Sequence, residues 1–456
     1  MPLPPLNVVI LAAGKGTRMY SDKPKILHEL AGQALLSHVI NCAKQLQPEK
    51  IVAVYGFGGE AVKQAIPDAA VLWVKQENQL GTGHAVQQAM PYLDDSATVL
   101  VLLGDVPLLH AATCRNLLEQ AIQQLTLLTV EKAQPKGYGR IVRGYDGRVD
   151  AIVEEKDAND EQRAIREVNS GIMAMPVKKL KTWLSQLGND NAQGEYYLTD
   201  VIAMAVKDGL KVSTQLAVDE WEVMGINSKE DLASVERVYQ QRKATELLRK
   251  GVTLLDPTRL DIRGKLNTGR DVCIDVGCIF EGEVAIEDDV SIGAYCVIKD
   301  AVIGKGSVIA PYTHIDSATV GANNRVGPYA RLRPGADLAN DVHIGNFVEI
   351  KNSQIDVGSK INHLSYLGDS MVGKRVNIGA GTITCNYDGV NKYRTVIGDD
   401  VFVGSATQLV APVTVGTGAT IGAGSTITKN APEGALTLGR SRQVTLANWK
   451  RPEKKK

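Results

Sequence analysis

The chain has 456 residues, with 51 Lys and Arg against 51 Asp and Glu, so its formal net charge is zero. That balance offers nothing for nucleic acid or an anionic membrane surface to recognise, and no apolar run approaches the ~20 residues of a membrane span. Six cysteines (Cys42, Cys114, Cys273, Cys278, Cys296, Cys385) include no Cys-x-x-Cys pair and read as reduced thiols of a cytoplasmic protein; the length suggests about two to four domains.

The apolar N-terminal stretch Met1–Ala13 has no cationic flank and runs straight into a glycine loop, so it reads as a buried strand and not a signal peptide. Further apolar runs at Ile51–Tyr55, Val71–Val74, Val99–Leu103 and Leu127–Val130 alternate with amphipathic stretches, which predicts an α/β domain with a mostly parallel sheet over 1–227. The loop after Val8–Ala12 reads Ala13-Gly14-Lys15-Gly16-Thr17-Arg18-Met19, followed by Pro24-Lys25. Its glycines let backbone N–H groups approach phosphate oxygens, and Lys15, Arg18 and Lys25 can neutralise them. It lacks the third glycine of the dinucleotide fingerprint and the Gly-Lys-Ser/Thr end of a P-loop. Asp105 ends the run Val99–Leu103, at the strand edge where α/β sheets place ligands, and can hold Mg2+, a hard cation that prefers oxygen. His84 reads as structural. Residues 228–250 form a connecting helix, with Ser228 as N-cap, Glu230 and Asp231 in the first turn, Arg249 and Lys250 in the last, and an apolar stripe of Leu232, Val235 and Tyr239.

The chain from 251 to 456 reads as a separate domain with a C-terminal tail, and a six-residue beat fills about 265–430 of it. Ile274, Phe280, Ile286, Ile292 and Ile298 open it, Ile303, Ile309 and Ile315 continue, then Val320 to Ile350, Ile355 to Leu367, Val372 and Ile378. Ile397, Val403, Leu409, Val415, Ile421 and Ile427 close it. Neither a helix nor a strand has that period; a hexapeptide repeat does, and it predicts a parallel β-helix. Steps of five (298 to 303, 315 to 320, 350 to 355, 367 to 372) imply shortened turns, and residues 385–396 are expected to loop out of the coil. His363 follows the inward Ile361 by two, with Tyr366 near, Lys351 one coil back and Arg331 and Arg333 about two coils back. This places a candidate general base among anion binders.

Several strings taken together are more specific. Leu-x-x-Gly-x-Gly-Thr-Arg-Met with Pro24-Lys25, Gln79-Leu80-Gly81-Thr82-Gly83-His84-Ala85, Leu103-Gly104-Asp105-Val106-Pro107 and Gly137-Tyr138-Gly139-Arg140 resemble the sugar-1-phosphate nucleotidyltransferases. With the hexapeptide region and Asn386-Tyr387-Asp388-Gly389, nearly the whole chain resembles the family of bacterial bifunctional N-acetylglucosamine-1-phosphate uridyltransferases and glucosamine-1-phosphate acetyltransferases. The resemblance implies a Rossmann-like domain followed by a left-handed β-helix, forming UDP-N-acetylglucosamine for cell-wall and lipopolysaccharide precursors. It implies that Asp105 and Asn227 share Mg2+, and that Arg18 and Lys25 neutralise the phosphates of UTP. Gln76 and the backbone at Leu11, Ala12, Ala13, Gly14 and Gly81 would read the uracil. Thr82, Leu103 and Gly104 would lie beside the substrates, and Gly139, Glu154 and Asn169 would hold the N-acetylated sugar. In the C-terminal half it implies His363 as base, Arg333 and Lys351 on the sugar phosphate, and Tyr366, Asn377 and Asn386 on the sugar. Acetyl-CoA would contact Ala380, Asn386, Tyr387, Ser405, Ala423 and Arg440. A homotrimer is carried by the same resemblance. The chain departs from the family pattern at Ala406, where an aspartate follows Ser405, at Leu103, where some relatives have tyrosine, and at Phe57, where histidine is often seen. The alternative from the residues alone is a nucleotidyltransferase whose β-helix is only a scaffold.

Overall fold

The computed structural model describes residues 4–56, 58–122, 124–452 and 454; Phe57 and the last two lysines of the basic tail lie outside the described residues. The chain divides into two compact units, Met1–Tyr239 and Gln240–Lys456.

In the first unit the main sheet runs in the order Val212–Leu216, Leu125–Glu131, Glu167–Pro176, Thr98–Leu103, Leu6–Ala12, Lys50–Tyr55, Val71–Lys75. All five apolar runs of the sequence lie in these strands. Pairing is parallel except for Glu167–Pro176, which is antiparallel to both neighbours. The hairpin of Arg140–Arg143 and Val149–Val153 adds to it. Both faces are covered, which is why the central strands are apolar throughout. Val8, Ile10, Leu100 and Leu102 point into one core, and Val9, Val99 and Val101 into the other. Leu6–Ala12 pairs in parallel with Lys50–Tyr55 on one side and Thr98–Leu103 on the other. Strand order therefore reverses at this point, and the crevice beyond Ala12 and Leu103 is where such sheets bind ligands.

The helix Lys229–Arg249 begins with a reciprocal cap. Ser228 Oγ accepts from Asp231 N at 3.0 Å, and Asp231 Oδ2 accepts from Ser228 N at 2.9 Å. Leu232, Val235 and Tyr239 pack with Leu30, Leu35, Leu108 and Ile226 of the first unit. Ala244 and Leu247 join the core of the second.

The second unit is a parallel β-helix. One eleven-stranded sheet forms one face, and a sixteen-stranded sheet bends around the others through Leu260–Thr268, Cys278–Ile286 and Val297–Ile303. Every residue of the six-residue beat is buried in a single continuous core. Ile298 pairs with Ile315, Ile315 with Leu332, Leu332 with Ile350 and Ile350 with Leu367, so one coil is 17 or 18 residues. Glycine after the inward residue is a matter of space: a Cβ on Gly345 would lie 1.9 Å from Asn362 O of the next coil. The five-residue steps turn on one left-handed residue each, Asp300, Ser317, Asn352 and Asp369. Ladder pairing resumes earlier than the sequence pattern indicates. Cys385, Thr395 and Val396 belong to strands, so the inserted loop is 386–394 and not 385–396. The aliphatic beat misses the return of the chain at Thr395 because a small polar side chain fills that buried position.

Another corner is built entirely from left-handed residues. Tyr295, Tyr312, Tyr329 and Phe347 have φ between 55° and 61°. Their rings stack with centroids 5.4, 4.9 and 5.4 Å apart, which offsets the strain of that backbone. The same corner continues through Leu364, Gly381, Ala406 and Gly424. Ala406, the departure from the family pattern, is exposed and left-handed at φ 56°, with no stacking partner to compensate. Ala406→Gly should stabilise the β-helix by about 1 kcal/mol, and Ala406→Asp should move stability the same way, because aspartate tolerates this region better. Urea unfolding of the three proteins measures it; equal midpoints would contradict the strain argument.

Candidate active sites

The loop after Leu6–Ala12 is shaped by the approach of Lys25. Gly16 has φ 62°, and a Cβ there would lie 2.5 Å from Lys25 Cβ. The short turn Lys25–Leu27 then aims the ammonium across the strand ends. Lys25 Nζ lies 2.5 Å from Asp105 Oδ2 and 3.1 Å from Asn227 Oδ1, and the first two side chains are only 12% and 17% exposed. Asn227 is held beside Asp105 because Ile226 N donates to Asp105 O (2.9 Å) and Asn227 N donates to Asp231 Oδ2 (2.9 Å). Two hard oxygens thus converge on one cation. Mg2+ keeps several waters and is commonly bound through one or two protein oxygens plus substrate phosphates, so this donor pair fits it. Among the described residues no group of three His, Cys, Asp or Glu could cage a metal alone.

Two clefts meet at this point. A cleft of about 770 Å³ is lined by Leu11, Ala12, Ala13, Gly14, Lys25, Gln76, Gly81 and Thr82. A second of about 510 Å³ is lined by Arg18, Gly139, Glu154, Asn169 and Asn227. Leu103 and Asp105 line both. The residues expected to read the uracil and those expected at the sugar therefore fall in different clefts beside one carboxylate, while Arg18, expected on the UTP phosphates, lines the sugar side. Gly104 lines neither; its N–H donates to Leu11 O and ties the two strand ends together. Glu154 accepts from Thr199 Oγ1 at 3.1 Å. Burial pushes its carboxyl above the usual range, with Asp157 and Asp200 adding to the rise and the Thr199 bond opposing it. Sequence reading missed Thr199, which lies far along the chain in no motif. His84, expected to be structural, places Nδ1 2.9 Å from Gln76 Nε2.

In the β-helix, in-register pairing turns sequence spacing into columns. Ile344, Ile361, Ile378, Val403 and Ile421 stack in succession. The residues two positions on, Asn346, His363, Ala380, Ser405 and Ala423, therefore share one column. His363 Nδ1 lies 3.0 Å from Asn346 Oδ1. With the Asn346 amide oxygen accepting from Nδ1, the neutral ring would present its lone pair at Nε2, as a general base requires. Asn346 was missed, although its spacing of one coil from His363 was a usable signal. Arg440 Nη1 donates to Ala423 O at 2.8 Å, which brings the tail to the end of this column.

A second column carries charge. Arg333 Nη1 pairs with Glu349 Oε1 at 2.8 Å, and Glu349 is the register partner of Tyr366. Lys392 from the inserted loop adjoins Lys351, and its proximity, followed by burial, lowers the Lys351 pKa while Asp369 opposes. Two neighbouring ammonium groups favour an anion between them. Asn352 and Asn386 both donate to Asp369. Burial disfavours the Asp369 carboxylate, yet those bonds and the Lys351 and Lys392 charges hold its pKa below the usual range. Lys392 and Asp369 were also missed; neither falls in a motif, and only folding of the loop brings Lys392 in. Tyr387 and Asn377 are not drawn into this cluster by any hydrogen bond: the Tyr387 hydroxyl bonds Gly389 O, and Asn377 pairs in the ladder with Lys360 and Phe402.

Residues 8–254 match the family model described as MobA-like NTP transferase domain, residues 262–346 the GMPPB C-terminal domain and residues 394–429 six repeats of the bacterial transferase hexapeptide. The bifunctional protein GlmU of Methylobacillus flagellatus is 64% identical over 451 residues, covering 99% of this chain and 98% of that protein. Those of Ralstonia nicotianae and Ralstonia pickettii are 59% and 58% identical, each over 452 residues and 99% of both chains.

The raised Glu154 pKa carries a signed prediction. The folded protein binds this proton more tightly than the unfolded chain does. The stability it contributes is fully present below the ordinary glutamate range and is lost as pH rises through the raised value. Glu154→Gln should therefore melt above the parent at neutral pH, with the gap closing in acid. A gap independent of pH would show that burial of charge is not the cause.

Proposed function

The chain belongs to the family of bifunctional GlmU proteins, and from that premise we propose the two reactions and the residues that perform them. The β-helix, residues 251–456, transfers acetyl from acetyl-CoA to glucosamine 1-phosphate. The α/β domain, residues 1–227, transfers uridylyl from UTP to the resulting N-acetylglucosamine 1-phosphate and releases pyrophosphate, and 228–250 is the connecting helix. The product, UDP-N-acetylglucosamine, would feed cell-wall and lipopolysaccharide precursors in the cytoplasm, and the working form would be a homotrimer.

For uridylyl transfer, the larger cleft takes the nucleotide between Gln76 and the Leu11–Gly14 backbone, and the smaller takes the sugar against Gly139, Glu154 and Asn169. Asp105 lies between them, so the sugar phosphate faces the α-phosphorus across it. Lys25 and Arg18 neutralise phosphate charge, and positioning supplies most of the acceleration because the phosphate dianion needs no base. Asp105 and Asn227 would hold Mg2+, which when bound offsets charge on the triphosphate.

For acetyl transfer, Arg333, Lys351 and Lys392 hold the sugar phosphate, and Tyr366, Asn377 and Asn386 place the amine. His363 Nε2 removes its proton as nitrogen attacks the thioester carbonyl; the C–S bond then breaks and CoA leaves as the thiol. Ala380, Tyr387, Ser405, Ala423 and Arg440 receive acetyl-CoA. The observation that carries this reading is the shared column, which sets His363, oriented by Asn346, in line with Ala380, Ser405 and Ala423. A scaffold β-helix has no use for it.

His363→Ala should slow thiol release from acetyl-CoA by about 10²–10⁴-fold, the usual worth of a general base, and leave pyrophosphate formation from UTP intact. Asp105→Asn should do the reverse. Asn346→Ala should lower kcat for acetyl transfer with little change in KM, since it orients the base and does not bind substrate. Loss of both activities in either single variant would refute two independent sites.

A further inference from the structure

Gln76 is 2% exposed and lines the larger cleft beside Gly81 and Thr82. Its Nε2 lies 3.2 Å from Gly81 O and 2.9 Å from His84 Nδ1. A peptide carbonyl only accepts, so the end of the amide facing Gly81 must be the nitrogen, with its two hydrogens. One is directed at Gly81 O and the other at the imidazole, which requires Nδ1 of His84 to accept and its proton to reside on Nε2. Gln88 Nε2 also approaches His84 Nε2, at 3.2 Å. The same nitrogen lies 3.3 Å from His84 O, but that amide is half-buried and both of its contacts are long, so it can turn to solvent, whereas Gln76 is buried and held between Gly81 O and the shorter contact to Nδ1. Gln76 Oε1 is then the end of the amide with no hydrogen-bond partner among the described residues.

We propose that His84 is a positioning residue for base selection, which fixes Gln76 Oε1 as an acceptor toward the nucleobase and so favours a pyrimidine bearing N3–H over one whose N3 is an acceptor. This rests on reading the cleft as the nucleotide site. Uracil offers N3–H to Oε1. Cytosine would set a lone pair against a lone pair in a partly dry site, leaving both without a proton. With His84 gone, only the longer contact to Gly81 restrains the amide, and it turns to serve either base.

Nucleotide binding without sugar tests this directly, by calorimetric titration of UTP and CTP into the full chain, His84→Ala, His84→Leu and His84→Asn. The leucine variant fills the volume without an acceptor, should the alanine variant fold poorly; asparagine restores an acceptor oxygen near Nδ1. The parent should prefer UTP. The preference should fall about tenfold or more in the alanine and leucine variants, roughly the worth of one well-placed hydrogen bond, and return in asparagine. Equal weakening of both nucleotides would make His84 merely structural and overturn the inference while leaving the uridylyl reading intact. A parent that binds UTP no better than CTP, or neither, would overturn the reading of the cleft and the inference with it.

Discussion

A coil of the β-helix can bury its aliphatic residues only against the coils on either side of it. That constraint forces Ile344, Ile361, Ile378 and Val403 into phase, and phase makes columns of everything else. Asn346 meets His363 because both stand two residues beyond a stacked isoleucine, 17 residues apart. The site proposed for acetyl transfer is thus a consequence of core packing. A slip of one residue in any coil would separate His363 from Asn346 as surely as it would expose the core.

The α/β unit reaches its site differently. Lys25, Asp105 and Asn227 are separated by 80 and 202 residues along the chain, and no periodicity relates them. They meet because strand order reverses beside Leu6–Ala12, leaving a crevice where two strand ends, a glycine loop and the lead-in to the long helix converge. The backbone bond from Ile226 to Asp105 then holds Asn227 beside Asp105, so that the Lys25 ammonium touches both.

These two routes explain what could be read beforehand. The six-residue beat is a direct record of burial, and each of its members is in the core. Gln76 was reached only through the resemblance, whereas Lys25 and Asp105 stood in recognisable strings. Thr199, Asp369 and Lys392 did not, because each acts through a partner that only the fold supplies: Glu154, the pair Asn352 and Asn386, and Lys351. The loop limits were misjudged for a related reason. Aliphatic periodicity does not register Thr395, although it is as buried as any isoleucine. Ala406 was visible as a departure, but its left-handed backbone belongs to the corner and to no residue pattern.

Because Leu103 and Asp105 line both clefts of the α/β unit, the two clefts, proposed for nucleotide and for sugar, adjoin at these residues. A single molecule joining a pyrimidine nucleoside to an amino sugar, with a short neutral bridge over the carboxylate, could occupy both at once. The second half would then bind at the high effective concentration set by the first. Such a ligand would gain affinity from geometry the enzyme cannot alter, since moving Asp105 to evade it would also move the pocket walls its own substrates need.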